Sequence, residues 1–305
     1  MSPIIRIGTR DSQLAVWQAT QVSGLLAQYG YKSELVFIKS EGDINLTTPL
    51  YEMGVQGVFT RSLDTALLEH RIDVAVHSMK DVPVVLAKGI VQAAVLKRGP
   101  HKDLLVYKGD GSFLDDVSSS AIIATSSLRR RAQWLRRYPN HRIEHLRGNV
   151  NMRLTRLVES EWDGAIFATA GLERIGLRPV NSIELDWMLP APAQGAILVV
   201  CRQDDIDTQK ACANFNDEQT AVCVKAERDF LKTLMGGCTA PISALVQYRG
   251  ERLTMQGSIL SVDGSQIIEV QREVDAVAAY SLGVDAALEI LDKGGDKLMK
   301  EIRSE

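Results

Sequence analysis

A chain of 305 residues exceeds the roughly 100 to 200 residues of an ordinary domain, so two or three domains with their own cores are expected and a staple-dependent miniprotein is excluded. Apolar residues make up 45% and charged residues 24%, which excludes a disordered, coiled-coil or collagen-like chain. The formal charge of −3 argues against a protein that coats nucleic acid or membrane, yet it is an average: Val117–Val158 holds nine arginines, no lysine and one acid, so that stretch carries +8 and the remainder −11.

Met1-Ser-Pro runs directly into a short strand, Ile4–Ile7, without a secretory apolar region. No apolar run approaches the ~18 to 20 residues of a membrane span. A cytoplasmic protein with no membrane or nucleic-acid partner is expected. Leu14, Trp17, Val22, Leu25 and Leu26 then fall at helical spacing up to Gly30. Strand Glu34–Ile38, helix Phe59–Glu69 and strand Ile72–Val76 follow in β-α-β order, and the near-continuous apolar strands predict a mostly parallel sheet covered on both faces. Val91–Leu96 and Asp103–Tyr107 lead to a second unit with the same alternation: Ala121–Ala124, Ser127–Tyr138, Arg142–Leu146, Val150–Val158 and Gly164–Ala168. The apolar run Ala196–Val200 is expected to return to the first sheet, giving two similar α/β lobes joined by hinge strands, with a ligand cleft between them. From Asp217 the pattern changes to a helix, Gln219–Met235, three strands (Ala244–Tyr248, Arg252–Ile259, Gln266–Val274) and a last helix, Ala276–Leu291. The expected division is 1–96 with 196–214, then 97–195, then a smaller α+β domain at 215–305.

The most informative stretch is Ala124-Thr-Ser-Ser-Leu-Arg-Arg-Arg131. Ser126 or Ser127 suits the N-cap, which puts Arg129 and Arg130 in the first helical turn, where cations oppose the positive helix end by about 0.3–1 kcal/mol each. An anion at the helix tip, held by backbone N–H groups, hydroxyls and both guanidinium groups, would reverse that cost; the other reading is that these arginines pair with acids elsewhere or are solvated. Arg147-Gly-Asn-Val-Asn-Met-Arg153 repeats the device with Asn149 as cap, and Arg10 in Gly8-Thr-Arg-Asp-Ser12 opens the first helix. Arginine throughout, rather than lysine, suits bidentate capture of carboxylate or phosphate. A polyanion met by three strand-to-helix junctions is the natural ligand.

Val76-His-Ser-Met-Lys-Asp-Val-Pro83 lies where a strand ends, a usual place for catalytic groups in an α/β sheet. Asp81, beside Lys80, either caps the turn before Pro83 or orients a cationic, N–H-bearing reacting centre. Cys238, in Met235-Gly-Gly-Cys-Thr-Ala-Pro241, is either a small buried hydrophobe or an exposed thiol with chemistry to do. Cys201, Cys212 and Cys223 match no CxxC pattern and read as reduced structural thiols. His141 and His145 are four apart but fall in a predicted strand, so no metal site is expected. Trp17 and Trp134 read as core.

Seven motifs, in order, resemble the porphobilinogen deaminase (hydroxymethylbilane synthase) family over residues 4 to 300: Gly8-Thr-Arg-x-Ser12, Val76-His-Ser-Met-Lys-Asp-Val-Pro83, Thr125-Ser-Ser-Leu-Arg-Arg130, Arg147-Gly-Asn-Val, Ala170-Gly-Leu-x-Arg174, Pro192-x-Gln-Gly-Ala196 and Gly236-Gly-Cys238. The resemblance implies periplasmic-binding-protein-like lobes, a dipyrromethane cofactor joined by a thioether to Cys238, and head-to-tail condensation of four porphobilinogen molecules with loss of ammonia to hydroxymethylbilane, a haem precursor. It further implies that Asp81 binds the pyrrole N–H groups and stabilises the cation left by ammonia. Lys80, Ser126, Arg129 and Arg130 would bind the cofactor; Arg10, Ser12, Arg147, Arg153, Phe59 and Gln194 would serve the substrate. A monomer is expected. Ala124, Met152, Ala193 and Gln56 depart from the residues usual at their positions, Gln56 standing where many members carry lysine. Two other readings of the arginine stretch are a non-enzymatic polycarboxylate-binding protein, which leaves Gly236-Gly-Cys238 without a role, and an RNA-binding protein, which the acidic remainder and the lack of an RRM, KH or zinc pattern disfavour.

Overall fold

The computed structural model describes residues 4–39, 60–234 and 240–304. Those residues form two compact units: one from residues 4–39, 60–99 and 195–221, the other from residues 100–194, 222–234 and 240–304.

The first unit is built on a five-stranded sheet of β1 (Ile5–Thr9), β2 (Ser33–Phe37), β3 (Val74–Ser78), β4 (Ile90–Val95) and β10 (Ile197–Arg202), in the order β2-β1-β3-β10-β4. Helices α1 (Gln13–Gln28) and α2 (Arg61–Leu68) lie between its first strands in sequence, and α6 (Ile206–Ala213) follows β10. β1 runs parallel to β2 and β3, whereas β10 is antiparallel to β3 and β4. Ile5, Ile7, Val74, Val76 and Val199 pack against Ala19, Val22 and Leu26 of α1, the stripe seen as helical spacing in the sequence. Ala196–Val200 thus enters the first sheet, as expected.

The second unit repeats this plan. Strands β5 (Asp103–Tyr107), β6 (Ile122–Ala124), β7 (Arg142–Glu144), β8 (Gly164–Ala168) and β9 (Ser182–Glu184) stand in the order β7-β6-β8-β5-β9. β6 is parallel to β7 and β8, and β5 is antiparallel to β8 and β9. In both sheets the antiparallel member, β10 or β5, is the first strand after the chain passes from one unit to the other. Helices α3 (Leu128–Arg137), α4 (Val150–Glu159) and α5 (Thr169–Glu173) accompany them. Alternation along β5 sends Leu104 and Val106 into one core with Leu157 and Phe167, and Leu105 into another with Ile123, Trp134 and Ile166. Both faces of this sheet are therefore covered.

The same unit holds an antiparallel meander of β11 (Ile242–Arg249), β12 (Arg252–Leu260) and β13 (Ile267–Asp275), with α7 (Glu218–Thr233), α8 (Ala279–Ile290) and α9 (Asp296–Ser304). Phe230, Leu253, Met255, Ile259, Leu282 and Ile290 form its core. A Cβ on Gly283 would lie 1.9 Å from the Ala226 carbonyl oxygen, so only glycine lets α8 approach α7 this closely. The architecture is the expected one, two α/β lobes and a smaller C-terminal α+β part. Among the described residues no helix is long and apolar enough to cross a membrane.

Candidate functional site

In the first unit, β1 and β3 are neighbours in parallel register, Ile7 opposite Val74 and Gly8 opposite Ala75, so their carboxyl ends and the segments that follow lie side by side. After β1, the Ser12 hydroxyl caps α1 by accepting from the Ala15 N–H, and Arg10 is half-buried just before it. After β3, Met79–Asp81 forms a single 3-10 turn that ends with the Val82 N–H donating to the Met79 carbonyl. Lys80 is half-buried and Asp81 exposed. The Gln18 amide donates to the Ser78 hydroxyl at 2.8 Å, bracing this turn against α1. Arg10, Ser12, Lys80 and Asp81 are thus gathered at one end of one sheet.

Beneath them His77 is buried, and its Nε2 has no hydrogen-bond partner among the described residues. Burial, helped by the nearby Arg10 charge, holds the imidazole down to about 4. The unfolded chain, with a histidine pKa near 6.5, takes up its proton first as pH falls, so the stability linked to neutral His77 is full above about pH 6.5 and drains away towards pH 4. The expected loss between pH 7 and pH 5 is about 2 kcal/mol. His77→Gln should show an unfolding free energy whose fall over that range is shallower by this amount in urea titrations, and parallel wild-type and variant curves would refute it.

In the second unit, Ser127, one of the two candidate caps, accepts from the Arg130 N–H at the start of α3, and Asn149 accepts from the Met152 N–H at the start of α4. Gly148, at φ +105°, makes the turn between β7 and α4. The other serine, Ser126, joins the two junctions: its hydroxyl donates to the Leu146 carbonyl at 3.1 Å and accepts from the Leu146 N–H at 2.9 Å. The arginine-bearing starts of α3 and α4 are thereby locked together.

Arg129 and Arg130 are both buried and both meet Asp103, a fully buried acid on β5. Nη1 of Arg129 stands 2.7 Å from Asp103 Oδ2 and donates to the Leu189 carbonyl at 2.8 Å. Arg130 grips Asp103 Oδ1 with Nη2 at 2.7 Å and Nε at 2.9 Å, and its Nη1 donates to the Ile166 carbonyl. An acid from 27 residues upstream therefore takes the place that the sequence reading reserved for a ligand at Arg130. Arg129 differs: its Nε is buried without a hydrogen-bond partner among the described residues. Burial pushes its guanidinium down, and the adjacent Arg130 charge adds to this. Gln194, expected to serve the substrate, has no exposed surface; its amide donates to Asp103 and to the His101 carbonyl.

Arg147 is buried, and burial followed by repulsion from Arg156 pushes its guanidinium down. Arg153 donates to the Gly148 carbonyl at 2.8 Å. Arg129 beside Arg130 and Arg147 beside Arg156 are like-charge pairs that a bound carboxylate would relieve, so this donor set fits the acetate and propionate arms of a dipyrromethane. Phe59, Gln56 and Cys238 lie outside the described residues. Cys201, Cys212 and Cys223 are buried thiols outside any disulfide, and burial raises the first two to about 11 and about 12. His141 belongs to an aromatic core cluster, accepting from the Trp134 indole at 3.1 Å and stacked on Tyr138.

Residues 5–210 match the family model for the porphobilinogen deaminase dipyrromethane cofactor binding domain, and residues 221–292 match the model for the porphobilinogen deaminase C-terminal domain. The chain belongs to the porphobilinogen deaminase family. A porphobilinogen deaminase of Desulforamulus reducens is 38% identical over 304 residues, and one of Acidithiobacillus ferrooxidans is 39% identical over 306; each alignment covers 98% of both chains. As a porphobilinogen deaminase family member the chain is a transferase of tetrapyrrole biosynthesis, a hydroxymethylbilane synthase with a dipyrromethane cofactor domain. Among solved structures, an ancestral cationic amino acid solute binding protein aligns over 70% of this chain and 87% of that one, at 14% identity and a TM-score of 0.43.

Proposed function

We propose that the two clusters divide the condensation of porphobilinogen between them. At the end of β3, Asp81 receives the pyrrole N–H of the incoming unit and stabilises the positive charge that develops as ammonia leaves, while Arg10, Ser12 and Lys80 hold carboxylate arms. On the second unit, Arg129, Arg147 and Arg153 bind the arms of the cofactor and of the growing chain, and Ser126, whose one O–H is donated to the Leu146 carbonyl, holds their two junctions together. Arg130 and Gln194 act through Asp103 by fixing where Arg129 points, which is a change from direct binding. The dipyrromethane, tethered through Cys238, supplies the carbon nucleophile on which elongation begins. Phe59 packs near the rings. The observation that carries this reading is the pair of hydrogen bonds between Ser126 and Leu146, which joins the two arginine junctions. The chain works as a cytoplasmic monomer, without a metal or nucleic acid, in three domains bounded at 1–96 with 196–214, 97–195 and 215–305.

Intact-mass measurement of purified wild type and Cys238→Ser tests the tether. The wild type should carry an added mass equal to two pyrrole units and the variant none. An active wild type of unmodified mass would end the cofactor assignment.

A further inference from the structure

Gln133 stands one helical turn beyond Arg129 on α3 and is buried. Its Oε1 accepts from the Leu189 N–H at 2.8 Å, and its Nε2 donates to the Leu189 carbonyl at 3.0 Å and to the Ser243 hydroxyl at 3.1 Å. One amide thus reads both backbone polar groups of one residue; rotated by half a turn, it would set donor against donor at the Leu189 N–H, so its orientation is fixed. The same Leu189 carbonyl accepts from Arg129 Nη1 at 2.8 Å. Ser243 is fully buried on β11, five residues after Cys238, and the next residue, Ala244, donates its N–H to the Pro190 carbonyl at 3.2 Å. A polar amide in this buried place costs desolvation that packing alone does not require.

We propose that Gln133 is a positioning residue: through the Leu189 carbonyl it aims Arg129, and through Ser243 it ties that carbonyl to the buried strand β11. This rests on the roles given to Arg129 and Cys238 above. A guanidinium that must meet a carboxylate on a tethered group has to be held within about 0.5 Å, which a flexible side chain on a helix does not achieve without such a support.

The test compares Gln133→Met, Ser243→Ala and Arg129→Lys with wild type, reading the cofactor-bearing fraction by intact mass, kcat and KM per cofactor-bearing molecule, and the thermal midpoint. In Gln133→Met the cofactor-bearing fraction should fall to about half or less and kcat by about tenfold, with KM changed by less than about threefold, because the arms that Arg129 holds belong to the tethered group and not to free substrate. Ser243→Ala loses one bond and little volume, and should lower kcat by about threefold. A lower midpoint in Gln133→Met with wild-type cofactor content and kcat overturns the proposal, and so do wild-type values in Ser243→Ala should the methionine variant fail to fold. If Arg129→Lys is impaired while both other variants are normal, the positioning role alone falls. If Arg129→Lys matches wild type, the role of Arg129 falls and the positioning role with it.

Discussion

Asp81→Ala is expected to lower turnover by about a thousandfold, roughly 4 kcal/mol of barrier, while leaving the fold and the bound cofactor intact. The separation follows from where the residue sits. Asp81 is exposed on the 3-10 turn after β3, and that turn is held by the Val82 to Met79 backbone bond and by the Gln18 to Ser78 contact. Exposed substitutions of this kind cost at most about 0.5 kcal/mol of stability. The charge, by contrast, is an acid next to Lys80 at the end of the sheet where Arg10 also lies, and among Arg10, Ser12, Lys80 and Asp81 it is the group able to stabilise a cation. Removing it should slow the step in which ammonia departs and leave carboxylate recognition in place. Stopped-flow turnover with intact-mass detection distinguishes the two: the variant should still take up porphobilinogen units slowly, with KM little changed. Asp81→Asn should resemble alanine, because an amide keeps the size and discards the charge. Near-normal kcat in either variant would remove Asp81 from the chemistry.

How far the sequence discloses this arrangement depends on the range of the interaction concerned. Local signals carried well: Asn149 caps α4, one of the two serines proposed for α3 does so, and the three strands expected after Asp217 appear as β11, β12 and β13. The last expected helix ends at Leu291, yet a further helix, α9, follows a kink at Gly294, and its Leu298 and Met299 reach the C-terminal core, a tertiary gain that outweighs local propensity. Short elements such as β9 and α5 carry too few residues for a periodicity to show. The largest omission is Asp103. Within Val117–Val158 the arginines have almost no acid beside them, so they read as waiting for a ligand; their internal partner is on β5, and only the strand order of the sheet brings it under α3. Gln133 escaped for the same reason, its Leu189 partner being 56 residues away, and so did the bond of Gln194 to Asp103, 91 residues apart, although Gln194 itself stands among the expected site residues.

That omission sets up the largest stability effect in the chain. Asp103→Ala leaves the Arg129 and Arg130 side chains, 5% and 8% exposed, without their shared counter-charge, and removes an acceptor from the Gln194 amide. Stripping one partner from a buried ion pair costs about 3–5 kcal/mol, since the remaining charge keeps its desolvation penalty and loses its compensation. Here two cations are orphaned together and already repel one another. Arg130→Met leaves Asp103 facing Arg129 with similar side-chain volume, so one compensated pair survives. The loss of unfolding free energy in denaturant titrations should therefore be larger for Asp103→Ala, at or above about 4 kcal/mol, than for Arg130→Met, by about 2 kcal/mol. Equal losses would mean that the acid is not the common anchor of both arginines. The functional consequence runs the same way, because an unanchored Arg129 swings from the Leu189 carbonyl and the arms of the cofactor lose their fork; the cofactor-bearing fraction should fall further in Asp103→Ala than in Arg130→Met. What looked in the sequence like two arginines reaching for one ligand is an anchored pair, in which Asp103 and Arg130 are the footing and Arg129 is the group proposed to bind.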